Sequence, residues 1–190
     1  MIAQTSAEMV RQGGQITLFN SLKIRRYTSR PDIAALINTL GVTGLHVERW
    51  IPKAGFNGKL FDLRVLVIAG RVRHTVVRTG CSPLTNLHLG NARGDLEKLQ
   101  RAVPAEHWRS AMESCERAAT VFPNSLYAGI DLMFTPGFRS HCVIESNAFG
   151  DLLPNVFSNG RNTWQAELAS MNQQATCDTR PLFTGVNDDG

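Results

Sequence analysis

The stretch that decides the fold is "LYAGIDLMFTPGFRSHCVIESNAF", residues 126–149. It consists of two short apolar runs separated by a Pro-Gly turn signal, and this pattern predicts an antiparallel hairpin. The runs are interrupted by oxygen-bearing side chains at Asp131, Glu145 and Asn147. Because Asp and Asn are depleted in strands, their presence here indicates that something binds over one face of the hairpin.

Pairing of the two runs places Asp131 opposite the region of Ile144 and Glu145. Glu145 and Asn147 share a strand face and lie about 7 Å apart. Two carboxylates this close repel each other unless a cation or a proton lies between them. Mg²⁺ accepts two carboxylates and one amide oxygen and fills its remaining positions with water and phosphate oxygens. The alternative is that Asp131 caps a turn and Glu145 pairs with an arginine, and the spacing leaves both interpretations open.

A second predicted hairpin joins residues 60–69 to residues 72–77. Asp62 and Arg64 alternate along its first strand and therefore share a face. Such a pair is commonly a plain ion pair, but Asp can also bind ribose hydroxyls and Arg can bind an anion through two parallel hydrogen bonds. Whether Arg78 faces the same way depends on the turn length, which the sequence does not decide.

Residues 79–95, "TGCSPLTNLHLGNARGD", are rich in Gly, Asn, Ser and Thr and predict a long loop. Loops of this length in compact domains are often functional. Its polar side chains, Asn86, His88, Asn91 and Arg93, could cover phosphates. An ordinary solvated loop is the alternative.

The other segments complete an α+β pattern. Strands are predicted at 15–27 and 45–51, helices at 29–41, from 96 with an interruption at Pro104, and at 162–171 with Asn162 as N-cap. The last dozen residues predict a frayed tail. The expected fold is a mainly antiparallel sheet with packed helices.

The composition is that of a globular protein, with 190 residues, 43% hydrophobic and 19% charged residues, and a net charge of +4. The scattered basic residues do not favour a nucleic-acid partner. No apolar run approaches the length of about 18 residues that a membrane span needs. Four cysteines without a CxxC pair predict a reducing, cytoplasmic location. A zinc site built from His46, His74, His88 and Cys81 matches no known ligand spacing.

Read together, these segments resemble a known family. They are "VERWIPKAG", "DLRVLVIAGRV", "VVRTGCSPLTNLHLGNARGD", "GIDLMF" and "VIESNAFGDLLP". They look like the C-terminal part of an ATP-grasp protein, in the branch that contains glutathione synthetase and the ribosomal-protein glutamate ligases. The resemblance covers about residues 16–170 and implies the C-terminal part of an ATP-grasp fold.

The resemblance implies a nucleotide site. Segment 48–51 resembles the hinge whose backbone hydrogen-bonds adenine, and its residues are Glu48, Arg49, Trp50 and Ile51. Asp62 resembles the acid near the ribose. Asn86 belongs to a loop that resembles the one near the phosphates. The implied cofactor is ATP.

The resemblance also implies the chemistry. Arg64 and Arg78 resemble the basic residues near the acceptor carboxylate and the transferred phosphate. Asp131, Glu145 and Asn147 resemble the ligands of Mg²⁺, with Mn²⁺ as an alternative. The implied reaction is ATP-dependent ligation of a small-molecule or peptide carboxylate to an amine or thiol through an acyl phosphate.

The chain departs from the family at its beginning. Residues 1–54 resemble a remnant of the small nucleotide-binding subdomain with its hinge, 55–175 the large ATP-grasp subdomain, and 176–190 a tail. The phosphate-binding lysine strand and its small-residue loop have no counterpart, since neither Lys23 nor Lys53 lies in the expected pattern. We therefore expect an N-terminally truncated ligase that a partner chain or a missing N-terminal domain completes. The alternative is a non-catalytic nucleotide-binding or interaction module that keeps the fold.

Overall fold

A computed structural model describes residues 3–43, 48–83, 85, 91–148 and 153–178. The chain divides into two compact units, Met1–Ile51 and Pro52–Gly190. The division lies close to the boundary expected after residue 54. Ala54 belongs to the second unit, because its amide donates a hydrogen bond to the carbonyl of Phe134 over 2.7 Å.

The described part of the first unit contains an antiparallel hairpin, one α-helix and a short 3-10 helix at Gly41–Thr43. Strand β1 (Ala3–Gln12) pairs with β2 (Gln15–Tyr27), and α1 (Arg30–Leu40) follows. The predicted strand at 15–27 is confirmed, whereas β1 was not predicted because its residues show no regular apolar alternation. Its pairing with β2 supplies the hydrogen bonds that its composition does not suggest.

The second unit is built on a six-stranded sheet in which every pair is antiparallel. Its strands are β3 (Gly55–Phe56), β4 (Lys59–Ile68), β5 (Arg71–Gly80), β6 (Ala92–Arg93), β7 (Tyr127–Phe134) and β8 (His141–Asn147). The order across the sheet is β6-β5-β4-β7-β8, and β3 pairs with the start of β4. Both predicted hairpins are confirmed, and so is the α+β class.

The described residues of this unit form three α-helices: α2 (Leu96–Ala102), α3 (Ala105–Ala119) and α4 (Thr163–Asp178). Pro104 separates α2 from α3 as predicted, because a proline inside a helix removes a backbone donor. Asn162 caps α4 as predicted: its side chain accepts from the Gln165 amide over 2.9 Å, and the Gln165 side chain accepts from the Asn162 amide over 3.0 Å. Helix α4 continues past the predicted end at residue 171.

The two faces of β4 have different surroundings. Leu63, Val65 and Val67 lie on one face, in the main apolar core with β7 and α3. The other face carries the polar pair at positions 62 and 64, followed by Leu66 and Ile68, which pack in a smaller apolar cluster that includes a residue of α4. The polar pair therefore lies on the face opposite the main core.

One predicted element is wrong within the described residues. The strand expected at 45–51 is not formed at 48–51, which lie in no strand or helix, and 45–47 are outside the described residues. Pro52 has no N–H to donate to a ladder, and no strand pairs with this segment. The middle of the predicted loop, at 84 and 86–90, and the tail from 179 onward are also outside the described residues.

We expect Phe134→Ala to lower the free energy of unfolding by about 3–5 kcal/mol. Phe134 is fully buried and its ring contacts the rings of Phe61, Trp108 and Phe138. The matched control is Phe157→Ala, because Phe157 is 66% exposed; it should change stability by less than about 1 kcal/mol. Urea unfolding, monitored by tryptophan fluorescence, gives the free energy of unfolding of both variants. Equal losses of stability in the two variants would contradict this description of the core.

Candidate functional site

The strand registers bring the predicted site residues onto adjacent strands. Asp62 pairs with Arg78, Arg64 pairs with Asp131, and Asp131 pairs with Glu145. The prediction that Asp131 lies opposite the region of Ile144 and Glu145 is confirmed. Directly opposed residues on antiparallel strands share a face, so these side chains lie on one side of the sheet.

A chain of ion pairs joins three of these strands. Arg78 Nε donates to Asp62 Oδ1 over 2.7 Å, and Arg78 Nη2 lies 2.9 Å from Asp131 Oδ2. Arg64 Nε lies 2.9 Å from Asp131 Oδ1. Asp62, Arg78 and Asp131 are 2%, 7% and 7% exposed. Since both arginines contact Asp131, Arg78 faces the same side as Arg64, which the sequence had left open.

Two further residues, Lys53 and Thr85, complete the surroundings of Asp62. Lys53 Nζ donates to Asp62 Oδ2 over 2.6 Å and to Thr85 Oγ1 over 3.0 Å, and Thr85 Oγ1 donates to Asp62 Oδ2. Asp62 therefore accepts hydrogen bonds from three side chains, those of Lys53, Thr85 and Arg78. Sequence reasoning had set Lys53 aside because it lies outside the expected lysine pattern, and it had not singled out Thr85. The only signal was indirect, in that Thr85 lies in the loop expected to be functional.

Asn147 forms the other end of this series of ion pairs and hydrogen bonds. When the Asn147 amide is oriented so that both of its ends are satisfied, its nitrogen donates to Glu145 Oε1 over 3.0 Å and its oxygen accepts from Arg64 Nη1 over 3.1 Å. Gly129 provides the space for this arginine, because a Cβ at position 129 would lie 3.1 Å from Arg64 Nη1. The absence of a side chain at Gly129 on β7 thus lets the guanidinium group of Arg64 on β4 reach the Asn147 amide on β8.

We call this connected set the charge network. Its members are Lys53, Asp62, Arg64, Arg78, Thr85, Asp131, Glu145 and Asn147. Three of its side chains are positive and three are negative, so the formal charges cancel. The network therefore offers no excess positive charge to an anion by itself.

The two buried acids of the network have pKa values shifted in opposite directions. Burial alone would raise the pKa of Asp62, but the hydrogen bond from Arg78 and the charge of Lys53 outweigh it, and the pKa is lowered. For Asp131, burial outweighs the charges of Arg78 and Arg64, and the pKa is raised. Its Oδ1 atom is buried and accepts no hydrogen bond from a described group, although Arg64 Nε lies 2.9 Å away. Of the two buried acids, Asp131 is therefore the one whose charge is less fully compensated.

The predicted magnesium ligands converge on one face. Asp131 lies opposite Glu145, and Asn147 contacts Glu145. Across the described part of the chain, no group of three or more His, Cys, Asp and Glu side chains could hold a metal ion. The predicted set contains two carboxylates and one amide, and the magnesium prediction stays a prediction.

The predicted adenine hinge ends the first unit. Glu48, Arg49 and Trp50 are exposed and Ile51 is half-buried. Asn86 lies outside the described residues. The roles of these five residues stay predictions. No helix among the described residues has the length and apolar character needed to cross a membrane.

Comparison with known proteins gives a fold relationship. No protein-family model matches the chain, and no curated protein does. Among solved structures, the chain is similar to the crystal structure of D-alanine–D-alanine ligase from Bacillus anthracis complexed with ATP, with a TM-score of 0.51 and 11% sequence identity. The match covers 80% of this chain and 44% of the ligase. At this identity the likeness shows that the chain shares the fold of less than half of the ligase, and it does not identify a family or a branch of one.

We expect Asp62 and Asp131 to titrate on opposite sides of the ordinary value of 3.8. Because the pKa of Asp62 is lower in the folded than in the unfolded protein, its carboxylate stabilises the fold at pH values above the unfolded pKa. This contribution to stability is lost as the pH falls through the folded pKa. The raised pKa of Asp131 acts in the opposite sense, since its contribution is lost as the pH rises through the folded value. A ¹³C NMR titration of the carboxyl carbons measures both, and two values on the same side of 3.8 would contradict the description.

We expect Arg78→Met to cost about 3–5 kcal/mol, because it leaves the buried carboxylates of Asp62 and Asp131 without a shared partner. Arg93→Met is the matched control: Arg93 pairs with Arg78 in the adjacent strand, but it is exposed and its side chain donates to a backbone carbonyl. Its loss should cost less than about 1 kcal/mol. Guanidinium unfolding compares the two variants, and a small effect at Arg78 would show that the network contributes little to stability.

Proposed function

We propose that this chain is the main nucleotide-binding part of an ATP-grasp ligase that joins a carboxylate to an amine or thiol with ATP and Mg²⁺. The observation that supports the proposal is the charge network, which spans β5, β4, β7 and β8 on the sheet face opposite the main core. The fold relationship with an ATP-bound ligase supports it independently.

The donor set fits a hard divalent cation. Asp131 Oδ1 is a buried carboxylate oxygen that accepts no hydrogen bond from the described residues, and Glu145 is an exposed carboxylate directly across the ladder. Oxygen ligands of this kind suit Mg²⁺. Asp131, Glu145 and the amide oxygen of Asn147 would hold the ion. When bound, it supplies positive charge against the phosphate oxygens of ATP.

The balance of charge in the network explains why a cation is needed. Lys53, Arg64 and Arg78 are offset by Asp62, Asp131 and Glu145, so the formal charges of the network alone give no net attraction to a triphosphate. A divalent cation at Asp131 and Glu145 makes the site positive. The proposal therefore requires that ATP binds with Mg²⁺ and not in its absence.

The arginines have distinct tasks in this proposal. Arg64 is 19% exposed at its side chain and retains N–H groups beyond those that contact Asp131 and Asn147, so it can bind the oxygens of the transferred phosphate. Arg78 is more buried, at 8%, and its contacts with both acids orient the site. Lys53 and Thr85 hold Asp62, which in turn holds Arg78.

The reaction would proceed in two displacements. A carboxylate oxygen of the substrate attacks the γ-phosphorus, the bond to the β-phosphate oxygen breaks, and ADP leaves with an acyl phosphate formed. An amine or thiol then attacks the acyl carbon, loses its proton and displaces phosphate. The contribution of the residues is positioning of the reactants and neutralisation of charge, which are the main sources of catalysis in phosphoryl transfer.

Further parts of the proposal concern partners and location. The substrates would be a small-molecule or peptide carboxylate and an amine or thiol, and the protein would act in the cytoplasm. Because the match covers only 44% of the ligase, a partner chain or a further domain would supply the remaining contacts. The hinge 48–51, Asp62 and Asn86 would face the adenosine and the phosphates.

The proposal is tested by a thermal-shift titration with ATP. We expect ATP with excess Mg²⁺ to raise Tm, since a ligand of the native state stabilises it, and ATP with EDTA to leave Tm unchanged. Glu145→Gln removes the charge of one proposed metal ligand at an exposed position. With Mg²⁺ present, it should raise the ATP concentration needed for a given Tm shift by about tenfold.

Glu113→Gln is the matched control for this experiment, because Glu113 is an exposed acid on α3. It should respond to Mg²⁺ and ATP as the unaltered chain does. A shift that Glu145→Gln and Glu113→Gln reduce equally, or no shift at all for the unaltered chain, would contradict the site. An ATP-dependent shift without ligase turnover would favour the non-catalytic module.

A further inference from the structure

A polar cavity lies on the second unit, outside the charge network. Its volume is about 310 Å³. It is formed by the beginning of β5, the turn at 158–161 and the first turns of α4. The polar side chains that line it include Arg73, His74, Ser158, Asn159, Arg161 and Ser170.

The buried group in this cavity is His74, which is 2% exposed. Its Nε2 lies 2.9 Å from the carbonyl oxygen of Arg161 and therefore donates a hydrogen bond to it. Its Nδ1 is also buried, yet no described group hydrogen-bonds it. His74 lines the cavity, and because buried polar atoms are generally paired, its unpaired ring nitrogen points to a ligand that pairs with it there.

The charge of the cavity is one-sided. Arg73 and Arg161 both line it, and no acidic side chain does among the described residues. Neither arginine makes an ion pair with a described residue. This differs from the charge network, where each positive side chain lies against a carboxylate or an amide. Two guanidinium groups without a counter-charge attract an anion.

We propose that this cavity is a binding site for a small phosphate-class oxyanion. The guanidinium groups of Arg73 and Arg161 bind its oxygens, and the Nδ1 of His74 makes the remaining hydrogen bond. Hydrogen phosphate suits either form of the ring, because it carries acceptor oxygens and an O–H donor. Binding would connect β5 to the turn before α4 and thereby stabilise the packing of that helix.

The site is independent of the proposed ligase function. His74 and Arg78 are four residues apart on β5, which corresponds to about 13 Å along the strand. An anion at one position does not occupy the other. The inference therefore depends on the properties of the cavity alone and not on the proposed ligase function.

The test is a titration of the full chain with inorganic phosphate at constant ionic strength, which is set with chloride. Binding is monitored through the ¹H–¹⁵N NMR signals of the His74 ring. We expect a saturable shift of these signals. Arg73→Gln and Arg161→Gln should each weaken the apparent affinity by about tenfold or more, as the loss of a charge-assisted hydrogen bond predicts. Both arginines are exposed, so these variants should fold.

Arg71→Gln is the matched control. Arg71 lies on the same strand, is exposed, and pairs with Glu116 of α3 instead of lining the cavity. It should bind phosphate as the unaltered chain does. The proposal is overturned if the His74 signals do not saturate, or if Arg71→Gln reduces the affinity as much as Arg73→Gln does.

Discussion

The structure of the site depends on the buried ion pairs that connect Asp62, Arg78 and Asp131 across β4, β5 and β7. Charges at 2–7% exposure are costly unless each has partners, and here each acid lies against two basic side chains. Because every partner comes from a different strand or loop, the three elements must be in register for any of the charges to be satisfied. The ion pairs therefore fix the arrangement of the sheet on its polar face while the apolar core fixes it on the other.

This division between the faces of the sheet places the charge network on a stable apolar support. The strand β4 places Leu63, Val65 and Val67 in the main core and presents the residues between them on the opposite face. The two faces are separated by a single strand, so a polar group can be held rigidly without a polar atom entering the core. Under the proposed ligase function, rigid support of this kind would suit catalysis by positioning, which is what phosphoryl transfer requires.

Much of the second unit could be predicted from its sequence because its signals are local. The two hairpins follow from apolar runs and turn residues, and the register of β7 and β8 follows from the position of the turn. Lys53 and Thr85 could not be found in this way, because they reach Asp62 from segments with no periodic pattern. The strand β1 was missed and 48–51 was wrongly expected to be a strand, since strand formation depends on a partner that a single segment does not reveal.

By itself, the sequence determined the α+β class, the two hairpins and the shared face of Glu145 and Asn147, because alternation and turn chemistry act over a few residues. Only the tertiary structure decided that Arg78 points to the same side as Arg64 and that the acids at 62 and 131 share it. Only the tertiary structure also placed His74 against the carbonyl of Arg161, 87 residues further along the chain. Such contacts depend on how separate elements pack, and charge and burial in three dimensions then set which acid holds its proton more tightly.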